Sequence, residues 1–125
     1  MTYRFSLIFI LMINMTIGQE VDWIEDESKR AEEVLALDDK SYLIYYSLDG
    51  CWACDKTSKI LDMYSAYINS NFYSINVNCT KDENCEDIST FPRLEIISTD
   101  GVNKIVLEGA YNDLFLFSSL TQITN

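Results

Sequence analysis

Apolar side chains in this chain fall into short runs and helical spacings, separated by turns rich in Asp, Asn and Gly. Tyr42 to Leu48 (YLIYYSL) is apolar at nearly every position and too short for a helix, which predicts a strand buried on both faces. Upstream, Ile24, Ala31, Val34 and Leu35 recur at helical spacing as far as about Leu37, opposite a face of Glu, Asp, Lys and Arg. Asp22 followed by Glu25 reads as the capping pair that opens this helix. Downstream, Ile60, Tyr64, Tyr67 and Ile68 keep helical spacing and predict a helix from Cys51 to about Asn69. Phe72 to Asn78 alternates around Ile75 and Val77, a second strand. Thr80-Lys-Asp-Glu83 has the form of a capping box and opens a short helix ending before Thr90. Leu94 to Ser98 and Asn103 to Glu108 read as strands joined around Asp100-Gly101, a strong hairpin dipeptide. Leu116, Leu120 and Ile123 place a last helix from near Asn112.

Strands separated by helices pair in parallel through right-handed crossovers, and the final hairpin adds an antiparallel edge. With a further short strand at Glu20 to Asp22, the expected fold is α/β. Its central mixed sheet has about four to five strands and is flanked by about four helices. No repeat, low-complexity tract or Gly/Ser/Pro linker divides it.

The first eighteen residues behave differently. MTYRFSLIFILMINMTIG carries one basic residue, Arg4, an apolar stretch from Phe5 to Ile13, and small residues Thr16 and Gly18 before Gln19. This is the form of a secretory signal peptide over residues 1–18, leaving one domain over residues 19–125. A membrane anchor is the competing reading, but Asn14 interrupts the run well short of the roughly 18 apolar residues a spanning helix needs. No membrane anchor is therefore expected after cleavage.

Charge and cysteine content narrow the chemistry. The chain carries a net charge of −11, and removing the leader, with Arg4 and no acid, makes it more negative still. With no basic run, nucleic acid and anionic lipid are not expected partners, because phosphate binding needs clustered Lys and Arg. The absence of histidine excludes Cys/His zinc patterns and any His-based general base. All four cysteines, Cys51, Cys54, Cys79 and Cys85, lie in the mature part. An even count behind a signal peptide implies an oxidising compartment and two disulfides, with three connectivities open. Four thiolates in C-x2-C and C-x5-C could instead hold zinc. An oxidising compartment and the bulk of Trp52 argue against it, so no metal and no other cofactor is expected.

GCWACDK after a buried strand, then TFPRLEII, then the Asp-Gly hairpin and a terminal helix, resembles the thioredoxin-like family over essentially the whole mature chain. NVNCTKDENCEDISTFPRLEII is similar to the corresponding stretch of protein disulfide isomerase catalytic domains, some of which carry a second cysteine pair there. The early helix with Trp23, the Cys-x-Ala-Cys motif and Pro-Arg after Phe91 resemble the small single-domain endoplasmic-reticulum thioredoxin proteins of the anterior-gradient type. The resemblance implies a cis bond before Pro92, facing the CxxC. It also implies a rim of Trp52 and Phe91 that binds substrate polypeptide. There are three departures. Gly50 stands where the family has Trp before the first cysteine, and Trp52 lies inside the motif. Tyr45 stands where the family often places a buried carboxylate. Thr121 to Asn125 is not a KDEL-type retrieval signal.

Cys51 at a helix N-terminus meets free backbone N–H groups and the positive end of the helix dipole, which stabilise a thiolate; Cys54, one turn on, can resolve a mixed disulfide. Asp49 and Asp55 oppose this by like charge, and Lys56 and Lys59 partly offset them. Cys79 and Cys85 bracket a tight turn and read as a structural disulfide. Asn78-Cys79-Thr80 is also a glycosylation sequon, making Asn78 a candidate modification site. The expected function is a secretory-pathway thiol-disulfide oxidoreductase, in the endoplasmic reticulum lumen or secreted, acting on unfolded or disulfide-containing secretory proteins. Its rival is a secreted binding module of the same fold with little or no redox turnover.

Overall fold

In the computed structural model, which describes residues 19–81 and 85–124, the apolar run at Tyr42 becomes the middle strand of a five-stranded sheet. The strands are β1 (Trp23–Glu25), β2 (Ser41–Ser47), β3 (Phe72–Asn78), β4 (Arg93–Ile97) and β5 (Lys104–Glu108). Their order is β1-β3-β2-β4-β5, with β1, β3 and β2 parallel and β4 and β5 antiparallel to their neighbours. The helices among the described residues are α1 (Lys29–Leu35), α2 (Trp52–Met63), α3 (Ser65–Asn71) and α4 (Asp113–Thr124). This is the mixed α/β architecture the sequence predicts. The expected leader, residues 1–18, and residues 82–84, which include the second half of the capping box expected over residues 80–83, lie outside the described residues.

Alternation along β2 divides the core in two. Leu43 and Tyr45 face a cluster completed by Leu61, Ile68, Leu94, Ile96, Leu116 and Leu120, and so pack beneath α2, α3 and α4. Tyr42, Ile44 and Tyr46 turn to the opposite face, against Ile24, Ala31, Val34, Ile75, Val77 and Cys85. Helices therefore cover both faces, as parallel strands require. The Tyr42 hydroxyl donates to the Val34 carbonyl at 2.7 Å and also reaches the Leu37 carbonyl, pinning the end of α1 to the sheet.

Two boundaries differ from the sequence expectation. The segment from Asp22 does not open a helix: Trp23–Glu25 pairs with Ser74–Asn76 of β3, and the helix is capped instead by Ser28, whose Oγ accepts from the Ala31 N–H at 3.1 Å. Ile24 shares a cluster with Ala31 and Val34 but reaches it from a strand, so a common buried face imitated a helical period. The short strand expected at Glu20 to Asp22 accordingly lies three residues further on, at Trp23–Glu25. The helix expected from Cys51 to Asn69 breaks at Tyr64 (φ −107°, ψ 21°), although no Gly or Pro marks the break. Tertiary contacts account for it. Asp62 accepts the Val21 N–H at 3.0 Å, and the Tyr64 ring stacks on Phe117 with centroids 4.7 Å apart. The Asp-Gly hairpin forms as expected, with Gly101 at φ +75°.

One charged group is buried in the sheet. Glu95 on β4 accepts from the Tyr46 hydroxyl at 2.7 Å, pairs with Lys104 at 2.7 Å and Arg93 at 3.4 Å, and Arg93 reaches Glu108 at 2.6 Å. Burial pushes the Glu95 carboxyl up, but the Lys104 and Tyr46 hydrogen bonds and the two cations outweigh it, leaving it below its ordinary 4.5. A depressed carboxyl stabilises the fold above its unfolded value and loses that contribution as pH falls through the folded one. Glu95→Gln is expected to lower stability in urea by about 1–2 kcal/mol at pH 7. The gap to wild type should close as the pH is taken below 4.5. A gap that persists unchanged into acid would refute the ionic account.

Candidate functional site

β2 runs out at Ser47 beneath the sheet's helical layer, and the chain must turn back at once to start α2. Leu48 to Cys51 makes that turn: the Cys51 N–H donates to the Leu48 carbonyl at 3.3 Å, and Gly50 takes φ +73°, where a side chain would be strained. Cys51 is itself the N-cap of α2. Its Sγ accepts from the Cys54 N–H at 3.0 Å, the place a capping oxygen would occupy.

The four sulfurs are bonded as Cys51–Cys54 and Cys79–Cys85, with Cα separations of 5.2 and 5.6 Å. Cys51 is partly exposed, whereas Cys54 retains 2% exposure within the main core. Trp52 projects outward at 76% exposure, and the contact its ring makes is with its own helix, the Lys56 ammonium lying 5.6 Å from the ring centroid one turn on. Phe91 and Pro92 precede β4, whose first residue, Arg93, lies opposite Tyr46. The antiparallel register therefore carries Pro92 and Phe91 alongside Ser47 and Leu48, at the turn into Cys51. The Phe91-Pro92 peptide is cis. The Pro92 side chain is buried, its carbonyl accepts from the Gly109 N–H at 2.8 Å, and Phe91, half-buried, packs against the same core cluster as Cys51. Arg93 is committed to Glu95 and Glu108.

Tyr45 is buried beneath the motif, at the position where the resemblance puts an acid, and it makes a contact the sequence did not predict. Its hydroxyl donates to the Cys54 carbonyl at 2.6 Å, and its ring lies 5.3 Å from Trp23. Burial first, and the Asp55 charge second, push its phenol well above the ordinary value of 10.0, so it is a fixed donor that holds the first turn of α2. Tyr45, Cys54, Asp49, Asp55 and Ser58 line a pocket of about 320 Å³ on this side of the motif. The second network missed from sequence joins the turn to the other cysteine pair. Asn78 Nδ2 donates to Asp49 Oδ1 at 2.9 Å, the Asp49 N–H donates to Thr80 Oγ1 at 2.8 Å, and the Cys79 N–H donates to the Ser47 carbonyl at 2.8 Å. Asn78, the candidate glycosylation residue, thus points its amide nitrogen at Asp49.

No family model and no curated protein matches the chain. Solved structures do. Chloroplastic thioredoxin z superposes with a TM-score of 0.69 at 17% identity, covering 83% of this chain and 94% of that one. The short form of thioredoxin f from spinach chloroplast gives 0.66 at 14% identity, over 86% and 96%. The J-Trx1 fragment of ERdj5 gives 0.62 at 16%, over 80% and 50%. The protein therefore has the thioredoxin fold. Within that fold it is a form with a Cys-Trp-Ala-Cys pair at the head of α2 and a second disulfide on the turn after β3.

In the reduced protein the Cys51 thiol is expected to titrate below the free value of about 8.5, because the N-terminal N–H groups of α2 stabilise its thiolate. Asp49→Asn and Asp55→Asn should each lower it further by removing a nearby negative charge. Thiolate absorbance across pH measures both effects, and a Cys51 that titrates like free cysteine in all three proteins would contradict them.

Proposed function

We propose that the protein is a thiol-disulfide oxidoreductase for protein disulfides, with Cys51 as nucleophile and Cys54 as resolving thiol. One observation carries the reading: the motif's two sulfurs are unequal. Cys51 is at the helix head and reachable, while Cys54 is buried one turn below it. In the reducing direction the Cys51 thiolate attacks one sulfur of a substrate disulfide, forming a mixed disulfide and expelling the other substrate sulfur as thiolate. Cys54 then loses its proton to solvent and attacks Cys51 Sγ. This closes the Cys51–Cys54 bond and releases the second substrate thiolate, so two electrons pass from the dithiol to the substrate. The reverse sequence oxidises a substrate dithiol. Proximity within the motif makes resolution effectively unimolecular.

Trp52 and Phe91 supply apolar area beside Cys51 suited to unfolded polypeptide, and no protein group bonds the Phe91 backbone among the described residues. That backbone is open to pair with an extended substrate segment in the manner of strand addition. The amino-terminal leader and the even cysteine count support a secretory setting, either the endoplasmic reticulum lumen or the exterior, with secretory proteins as substrates. Tyr45 favours a second reading. A phenol held protonated cannot receive the Cys54 proton, which suits a binding module of slow turnover whose affinity lies in Trp52 and Phe91.

Insulin reduction by wild type, abolished in Cys51→Ser, is the direct test. Cys54→Ser should accumulate mixed disulfides with secretory proteins, because the covalent intermediate has lost its internal escape, while Cys51→Ser traps little. Partners that survive both cysteine changes and reductant, yet are lost on Trp52→Ala or Phe91→Ala, would replace the oxidoreductase by the binding module.

A further inference from the structure

The turn that presents Cys51 is short, exposed and built around a glycine, so its own hydrogen bond from Cys51 to Leu48 does not hold it alone. What holds it lies 29 to 31 residues away. The Asn78 amide grips the Asp49 carboxylate, and Thr80 Oγ1 takes the Asp49 N–H. Thr80 and Asn78 are in turn fixed to each other, since the Thr80 N–H donates to Asn78 Oδ1 at 3.0 Å, and the Lys81 N–H closes the same turn on the Asn78 carbonyl at 3.1 Å. Cys79, between them, ties the turn to the end of β2 through Ser47 and to the rest of the fold through its bond to the buried Cys85. Every residue of the Asn78-Cys79-Thr80 triplet therefore contacts the segment from Ser47 to Asp49, immediately before Gly50 and Cys51.

We infer that Asn78 and Thr80 are positioning residues for the Cys51 nucleophile, and that the Cys79–Cys85 disulfide acts on the CxxC by holding them in place. The inference rests on the assignment of Cys51 as the attacking thiol, but not on turnover. With the clamp closed, the turn seats Cys51 Sγ over the first N–H groups of α2. With it open, the turn gains freedom and the sulfur spends less time there, so thiolate stabilisation falls. The clamp also separates geometry from charge at Asp49. The carboxylate disfavours a thiolate by like charge, whereas its backbone and side-chain bonds favour one by orientation. Changes to charge and changes to clamping should shift Cys51 in opposite directions. Tyr45, Asp55, Lys56 and Lys59 also face the motif or lie on its helix, and none of them is altered by changes at position 80.

The test compares wild type, Thr80→Val, Thr80→Ser, Asp49→Asn and Cys79→Ala/Cys85→Ala. Each is treated with mild reductant that opens Cys51–Cys54 and leaves Cys79–Cys85 closed in the proteins that have it, as checked by mass mapping, and is then titrated by thiolate absorbance and by the pH profile of iodoacetamide alkylation at Cys51. Thr80→Val keeps the side chain's shape and removes the oxygen acceptor. It should move the midpoint up toward 8.5 and slow alkylation at neutral pH about three- to tenfold, the equivalent of one ordinary hydrogen bond. Thr80→Ser should restore both. The variant lacking the second disulfide should shift in the same direction as Thr80→Val, and Asp49→Asn, which retains an oxygen for Asn78, in the opposite one. If the double-cysteine variant fails to fold, the Thr80 pair and Asp49→Asn still decide. Unchanged or lowered midpoints in Thr80→Val would overturn the inference. Insulin reduction measured alongside separates the two claims: a wild type inactive on insulin removes the proposed activity, while the opposed shifts at positions 49 and 80 would still establish the clamp.

Discussion

The structure hangs on β2. It is hydrogen-bonded on both edges, to β3 and β4, and buried on both faces, so neither its register nor its facing can slip without moving apolar groups into water. Leu43, fully buried at its centre, belongs to the cluster shared with α2, α3 and α4. Because the strand cannot shift, the position at which it ends is fixed, and with it the point at which the chain turns back toward α2. The CxxC pair follows that fixed end by one short turn, with Asn78 at the end of β3 and Pro92 immediately before β4 as its neighbours on the two strands that pair with β2. The position of Cys51 thus depends on the burial of core residues outside the motif.

Two consequences of that arrangement work against each other at the motif. The helix head favours a thiolate, while Asp49 and Asp55 surround it with negative charge. Where a carboxylate would serve as a buried proton acceptor for the thioredoxin-like family, Tyr45 spends its hydroxyl on the Cys54 carbonyl. The exchange trades a proton-accepting group for a rigid first turn. Cys54 in this chain has the two carboxylates of the adjoining 320 Å³ pocket, Asp49 and Asp55, as its nearest anionic neighbours there.

Much of the fold was legible in the sequence because its signals were local. Unbroken apolarity from Tyr42, alternation from Phe72 and the Asp-Gly dipeptide each predict an element from a few adjacent residues, and β2, β3, β4 and β5 stand within a residue or so of the expectation. The errors came where distant contacts decide. Trp23–Glu25 is a strand only because β3 offers it backbone partners, and α2 ends at Met63 because of Val21 and Phe117. The site divides in the same way. Cys51 and Cys54 advertise themselves by spacing, and the sulfurs of Cys79 and Cys85 by count. Tyr45 as a clasp, and Asn78 and Thr80 as a clamp, join residues separated by nine and by about thirty positions, and no periodicity reports such contacts.

The sheet also has two ends. β1 closes one with only three residues. β5 closes the other with Lys104 and Glu108 at its tips, both drawn into ion pairs with β4, and with Val106 outward between them. Short length and flanking charge are how proteins keep an open row of backbone donors and acceptors from recruiting a foreign strand. Both borders of this sheet are guarded in that way. The same borders discourage copies of the protein from joining margin to margin and growing into fibrils.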